Sequence, residues 1–181
     1  MAENPTRALS RVQNPDIEPL TLAEAKLYLR VDGSDDDLLI SALIRAGREA
    51  AEEFLRKSLA VQEWKITYED YAPLKTPLPR GPVQEILSVK RITRNGDEVA
   101  MAEHAYHLNA RHDMLHFETI PMSFEVSIHY RTGYGDEGIP ASVRQGMLIH
   151  IAEMYDNRAG AAAAMPSASI SLYKPHREIG F

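Results

Sequence analysis

Near residue 60 the spacing of apolar residues changes, and that change limits the fold more than anything else in the chain. Over residues 19–57 apolar positions recur every three or four residues. From Val61 they alternate: "VQEWKITYEDY" puts Trp64, Ile66 and Tyr68 on one face in period two. Helical spacing returns at Pro140. A chain with helices first, a run of strands next and a helix last is α+β, because a parallel α/β sheet needs strands and helices in alternation.

The helical segments have readable ends. In "PLTLAEAKLYLRV", Thr21 is an N-cap with Glu24 three residues on, a capping box, and Leu22, Ala25 and Leu29 share a face. "DGSDDD" breaks this helix, and a long one is expected over 35–57, capped by Ser34. Its expected stripe is Leu39, Leu43, Ala46, Ala50 and Phe54, with Arg45, Arg48, Glu49, Glu52 and Glu53 mostly on other faces. The last long helix is expected over 140–157, with Pro140 at its first turn and Val143, Met147 and Ile151 inward.

The strands are punctuated by turn signals. "PLKTPLPRGPV" holds four prolines and is expected as an extended loop. Asn95-Gly96 suggests a type I′ hairpin. A second hairpin turning at 110–113 would set Leu108 opposite Leu115, Tyr106 opposite Phe117, and His107 opposite His116 on the other face. Phe124, Val126, Ile128 and Tyr130 share a face of the last strand. The expected fold is therefore mainly a helical bundle of a short, a long and a C-terminal helix. An antiparallel β-hairpin region is inserted in it, and extended arms lie at both ends. The expected division is an N-terminal arm over 1–18, a central domain over 19–157 and a docking tail over 158–181.

Several features bear on function. Gly133-Tyr134-Gly135-Asp136-Glu137-Gly138 spells G-x-G-x-x-G between a strand and a helix. A dinucleotide site also needs a parallel strand after the helix, and Asp136 and Glu137 would repel a pyrophosphate. Gly133 and Gly135, followed by Pro140, are read instead as a structural corner. His104, His107, His112 and His116 have metal-like spacings. Their convergence is not implied by spacing, so no metal or cofactor is expected. The absence of cysteine excludes disulfides and thiolate chemistry. The net charge of −6 argues against nonspecific DNA binding, which phosphate neutralisation drives, yet suits a wall that DNA slides past. No apolar run is long enough for a membrane span, and the first residues lack a signal-peptide core.

The tail is unusual for a terminus. A small-residue stretch over 159–164 precedes Ile170, Leu172, Tyr173, Ile179 and Phe181, and Pro166 and Pro175 favour an extended path. Such apolar residues are expected to dock, on this fold or on another protein.

Taken in order, "PLTLAEAKLYLRV", "DDDLLISALIRAGREAAEEFLRKSL", "LPRGPVQEILSVKRI", "VSIHYRTGYGD", "IPASVRQGMLIHIAEMYDNRAG" and the tail resemble the phage head–tail connector proteins, of the adaptor or head-completion type, including those of gene transfer agents. The tail, Leu172-Tyr173-Lys174-Pro175-His176-Arg177, departs slightly from the family's Leu-Leu-x-Pro-Tyr-Arg. The resemblance implies a virion protein of the neck, made in the bacterial cytoplasm and without enzymatic activity. It implies a homo-oligomeric ring, dodecameric in finished particles, beneath the portal protein and above a tail-side stopper. DNA would pass through the lumen without specific binding. Docking to the portal would fall to Pro166, Ile170, Leu172, Tyr173, Pro175, Arg177 and Phe181. The alternatives are a stopper or tail-completion protein of the same conduit and, from another class, a small metal-dependent hydrolase using the His104 to His116 hairpin.

Overall fold

A computed structural model of the chain describes residues 6–135, 138–157 and 164–178. The chain forms two units, one from Met1–Asp16 and Val61–Gly133, the other from Ile17–Ala60 and Tyr134–Phe181.

The first unit is all β. Its larger sheet has five strands, in the order β1 (Arg7–Gln13), β2 (Gln62–Tyr71), β8 (Met122–Thr132), β4 (Val83–Ile92), β5 (Glu98–Ala100). A smaller sheet runs β3 (Lys75–Pro77), β7 (Met114–Phe117), β6 (Tyr106–Leu108). All pairings are antiparallel. The alternation in β2 and β8 sets the register: Trp64, Ile66 and Tyr68 lie opposite Tyr130, Ile128 and Val126. These six side chains form one buried cluster with Leu78, Val83, Val89, Leu115 and Phe117. Each such side chain contributes about 1.5–3 kcal/mol when fully buried. The guanidiniums of Arg11 and Arg80 lie 5.1 and 5.3 Å from the Trp64 ring centroid, so its rim is held by cation–π contacts.

The second unit is helical: α1 (Leu22–Leu29), α2 (Asp37–Leu55), α3 (Ala141–Asp156) and α4 (Ser167–Tyr173). The capping box forms as expected. Thr21 Oγ1 accepts from the Glu24 backbone N–H, and Glu24 accepts from the Thr21 backbone N–H. The Thr21 N–H and the Thr21 hydroxyl both donate to the Glu24 carboxylate and hold it below its ordinary pKa, and Arg144 adds to the effect. The core gathers Leu20, Ala25, Ile40, Ile44, Ala51, Leu55, Leu59, Val143, Met147, Ile151 and Tyr173.

The expectation of a mainly helical bundle is wrong. The described residues are 35% helical and 32% strand, with eight strands in two antiparallel sheets. β2, β4 and β8 are not inserted hairpins. They pair with one another across long sequence separations, β8 lying between β2 and β4. Period-two patterning shows a face, not a partner. The N-terminal arm is also partly structured, since β1 pairs with β2 although every one of its side chains is exposed.

Smaller differences have local causes. The Pro-rich segment carries the short strand β3. At Asn95-Gly96 only the glycine has positive φ, +88°. The Gly96 N–H donates to Thr93 O and the Thr93 N–H to Asp97 O, a type I turn closed by a left-handed glycine and not type I′. Ser34 does not cap α2, which begins after Asp36.

Candidate docking and assembly surfaces

The glycine-rich corner is built from backbone conformation. Gly133 and Gly135 have φ of +116° and +55°, and Gly138 of +69°. The Gly133 N–H donates to Pro82 O and its carbonyl accepts from Gln84 Nε2, which fix the end of β8. Pro140 stands at the N-cap of α3. Asp136 and Glu137 lie outside the described residues. A Cβ at a left-handed position is strained, so Gly133→Ala and Gly135→Ala are each expected to cost more than about 1 kcal/mol. Thermal melts check this; two unchanged melting temperatures would contradict a structural role.

In the second hairpin the register is the expected one: Tyr106 opposite Phe117, His107 opposite His116, Leu108 opposite Leu115. The two imidazoles stand 5.1 Å apart between centroids. Glu118 Oε1 lies 3.7 Å from His107 Nδ1. His112 is in the turn at φ +55°, its Nδ1 3.1 Å from Val83 O, and His104 is in a 3-10 turn. Among the described residues no group of three or more His, Cys, Asp or Glu converges as metal ligands. The hairpin thus supplies two facing imidazoles, one short of the three protein ligands of a catalytic zinc site.

The tail folds back on its own unit. Residues Ser167–Tyr173 are α4, a helix where the prolines suggested an extended path, and Lys174–His176 form a 3-10 turn. Tyr173 is fully buried beside Phe54, ring centroids 6.0 Å apart, and Ser169 Oγ donates to Gly146 O. The Glu178 N–H donates to Leu55 O, and the Arg177 guanidinium lies 5.0 Å from the Phe54 ring. Burial raises the Tyr173 phenol pKa. Of the expected docking residues, Pro166, Ile170 and Leu172 are half-buried, and Pro175 and Arg177 are exposed. Phe181, Ile179 and most of the small-residue stretch lie outside the described residues.

One cluster escapes the sequence reading. Arg48 and Glu52 are both 2% exposed in α2. Arg48 Nη1 donates to Glu52 Oε2 at 2.8 Å, and its Nε to Glu18 Oε2 at 2.7 Å. Glu52 Oε1 accepts from the Leu59 N–H at 2.8 Å. Burial opposes the Arg48 charge, but Glu18 and Glu52 outweigh it and raise its pKa. A capping signal from Glu52 to the chain after α2 is invisible in periodicity, which scores both residues as surface.

Exposed apolar side chains mark other surfaces. Among them are Ile17, Leu27 and Leu38 in the helical unit and Leu9, Val12, Val99, Ile120, Met122 and Phe124 in the β unit. No described helix is long and apolar enough to cross a membrane.

Comparison with solved structures finds several similar chains, among them the following three. One, from the "Neck of empty GTA particle computed with C6 symmetry", has a TM-score of 0.83 and 22% identity over 96% of this chain and 97% of that one. A second, from the "Virion of native gene transfer agent (GTA) particle", has 0.81 and 22% over 96% of each. A third, from the "Neck of native GTA particle computed with C12 symmetry", has 0.76 and 21% over 96% and 97%. These likenesses establish a shared fold. No curated protein matches the chain. Residues 19–120, more than half of the chain, match the family described as "Phage gp6-like head-tail connector protein", and the chain belongs to that family.

Proposed function

We propose that this connector assembles as a ring in the neck of a phage or phage-like particle, below the portal protein, with DNA passing through its lumen and a stopper on its tail side. The observation that carries the reading is the family match over residues 19–120. The structural relatives support it, since two are described as parts of a particle neck, one solved with C12 symmetry, which suits a dodecamer. The chain acts by binding and not by catalysis.

Portal docking is assigned to the tail, with a division of labour. Tyr173 is inside the helical unit and fixes where the tail leaves it. Among the described residues, the surface offered to the portal is then Leu172, Pro175 and Arg177. Arg is a frequent hot-spot residue, and truncating a true hot spot costs about 2 kcal/mol or more. Arg177→Ala is expected to weaken portal pull-down while lowering stability by no more than the exposed cation–π contact to Phe54 contributes, about 0.5–1 kcal/mol. Undiminished binding would place the anchor elsewhere.

The lumen reading gives a second expectation. With a net charge of −6, the isolated protein should bind duplex DNA only weakly at physiological salt. Tight, salt-sensitive mobility shifts would contradict it.

A further inference from the structure

The two open edges of the five-stranded sheet carry opposite charge. β1 forms one edge and β5 the other. Residues 6–13 contain Arg7 and Arg11 and no carboxylate. Residues 96–103 contain Asp97, Glu98 and Glu103 and no Lys or Arg. Lys90 of the neighbouring strand pairs with Glu98 at 2.6 Å, which leaves Asp97 and Glu103 as the acids available to a partner at that edge.

β1 is unusual as an edge. All seven of its side chains are exposed, so it is held chiefly by the backbone ladder to β2, with the Arg11 guanidinium over Trp64 as a side-chain contact. It contains no proline or lysine, the common guards against edge-to-edge pairing, although its register shifts between Arg11 and Gln13. Leu9 and Val12 on β1 and Val99 on β5 are large apolar residues left exposed. An edge of this kind is a template for another strand.

We propose that the partner is a second copy of this chain, and that β1 of one copy pairs with the β5 edge of the next. Pairing β1 with β1 would set arginines against arginines and stop at a dimer. Pairing opposite edges is heterologous, and a heterologous contact repeats head to tail, giving a ring where its rotation closes and an open filament where it does not; the ring reading above requires closure. The inference rests on the ring reading above and supplies its subunit junction. β5 is only three residues long, so each junction is small and the closed ring gains by having every junction made.

The test uses full-length chains, native mass spectrometry and negative-stain imaging. The basic edge is reversed in Arg7→Glu with Arg11→Glu, and the acidic edge in Asp97→Lys with Glu103→Lys. Each variant alone should lose the ring, because both its edges then have the same sign. Their mixture should recover rings of alternating subunits, and one chain with all four changes should recover rings by itself. Wild-type rings with variants that still form rings would overturn the edge junction and leave the ring reading intact. Absence of wild-type rings, alone and with portal, would overturn both. Should a reversed variant unfold, Leu9→Cys with Val99→Cys in the otherwise cysteine-free chain replaces it. Treated with a short bis-maleimide, this chain should give a ladder of multimers, since opposite edges of one sheet do not reach each other; monomer alone would overturn the junction.

Discussion

Glu52→Ala is expected to destabilise the helical unit by about 3–5 kcal/mol, the range for breaking a buried ion pair by removing one partner. The substitution leaves the Arg48 guanidinium, 2% exposed, with only the more exposed Glu18 and Glu49 as acidic partners among the described residues, and it takes the acceptor from the Leu59 N–H. Glu52→Gln keeps the shape and an acceptor while removing the charge, so it should cost less than alanine. Chemical denaturation of the three proteins checks the order. Equal stability of Glu52→Ala and wild type would show that the Arg48–Glu52 pair carries no structural weight.

Tyr173→Ala should cost about 3–5 kcal/mol, as for other large aromatic truncations in a core. Tyr173→Phe should be neutral or slightly stabilising. The phenol oxygen is buried with no hydrogen-bond partner among the described residues, and removing such a group relieves a desolvation cost of about 1–3 kcal/mol. Gly146→Ala probes the same contact from the other side. A Cβ there would stand 2.5 Å from Tyr173 Cε1, in a ring that has no room to move, so overpacking of about 1–3 kcal/mol is expected. The three melts together separate packing from hydrogen bonding. A stable Tyr173→Ala would mean that α4 does not belong to the core. Deleting the chain after Ala164 therefore removes core as well as tail, and portal binding is better tested with exposed residues such as Arg177.

What could be read in the sequence was local or periodic. The Thr21–Glu24 capping box spans one helical turn, and it formed as expected. Val143, Met147 and Ile151 face inward as their spacing required, and so do Trp64, Ile66 and Tyr68. In α2 the same reasoning missed the buried face by about one residue. Ile40, Ile44, Gly47, Arg48, Ala51, Glu52 and Leu55 are inward, whereas Ala46 is exposed. Arg48 and Glu52 are charged, so periodicity assigns them to the surface and shifts the apparent stripe away from the buried face. β1 was missed because a strand that buries nothing has no alternation to show. α4, "SASISLY", is short and rich in small polar residues, and its order comes from Tyr173 and Ser169 entering the core. Sheet order was out of reach, since β2 and β4 meet β8 only in the folded chain.

The candidate surfaces divide in the same way. Positive φ at Gly133 and Gly135 was legible because glycine is the residue that tolerates it; their structural role is what the melts test. The facing of His107 and His116 followed from strand register. Whether a histidine pair is a metal site depends on a third ligand converging in space, which no spacing rule supplies.

The central claim, that this chain is a ring-forming connector that binds a portal, is tested most directly by electron microscopy of the purified protein mixed with the portal of its own particle. The account predicts a ring of the connector seated coaxially on one end of the portal, with an open axial channel wide enough for duplex DNA. Connector that stays monomeric beside free portals, or that binds the portal singly without closing a ring, would contradict it.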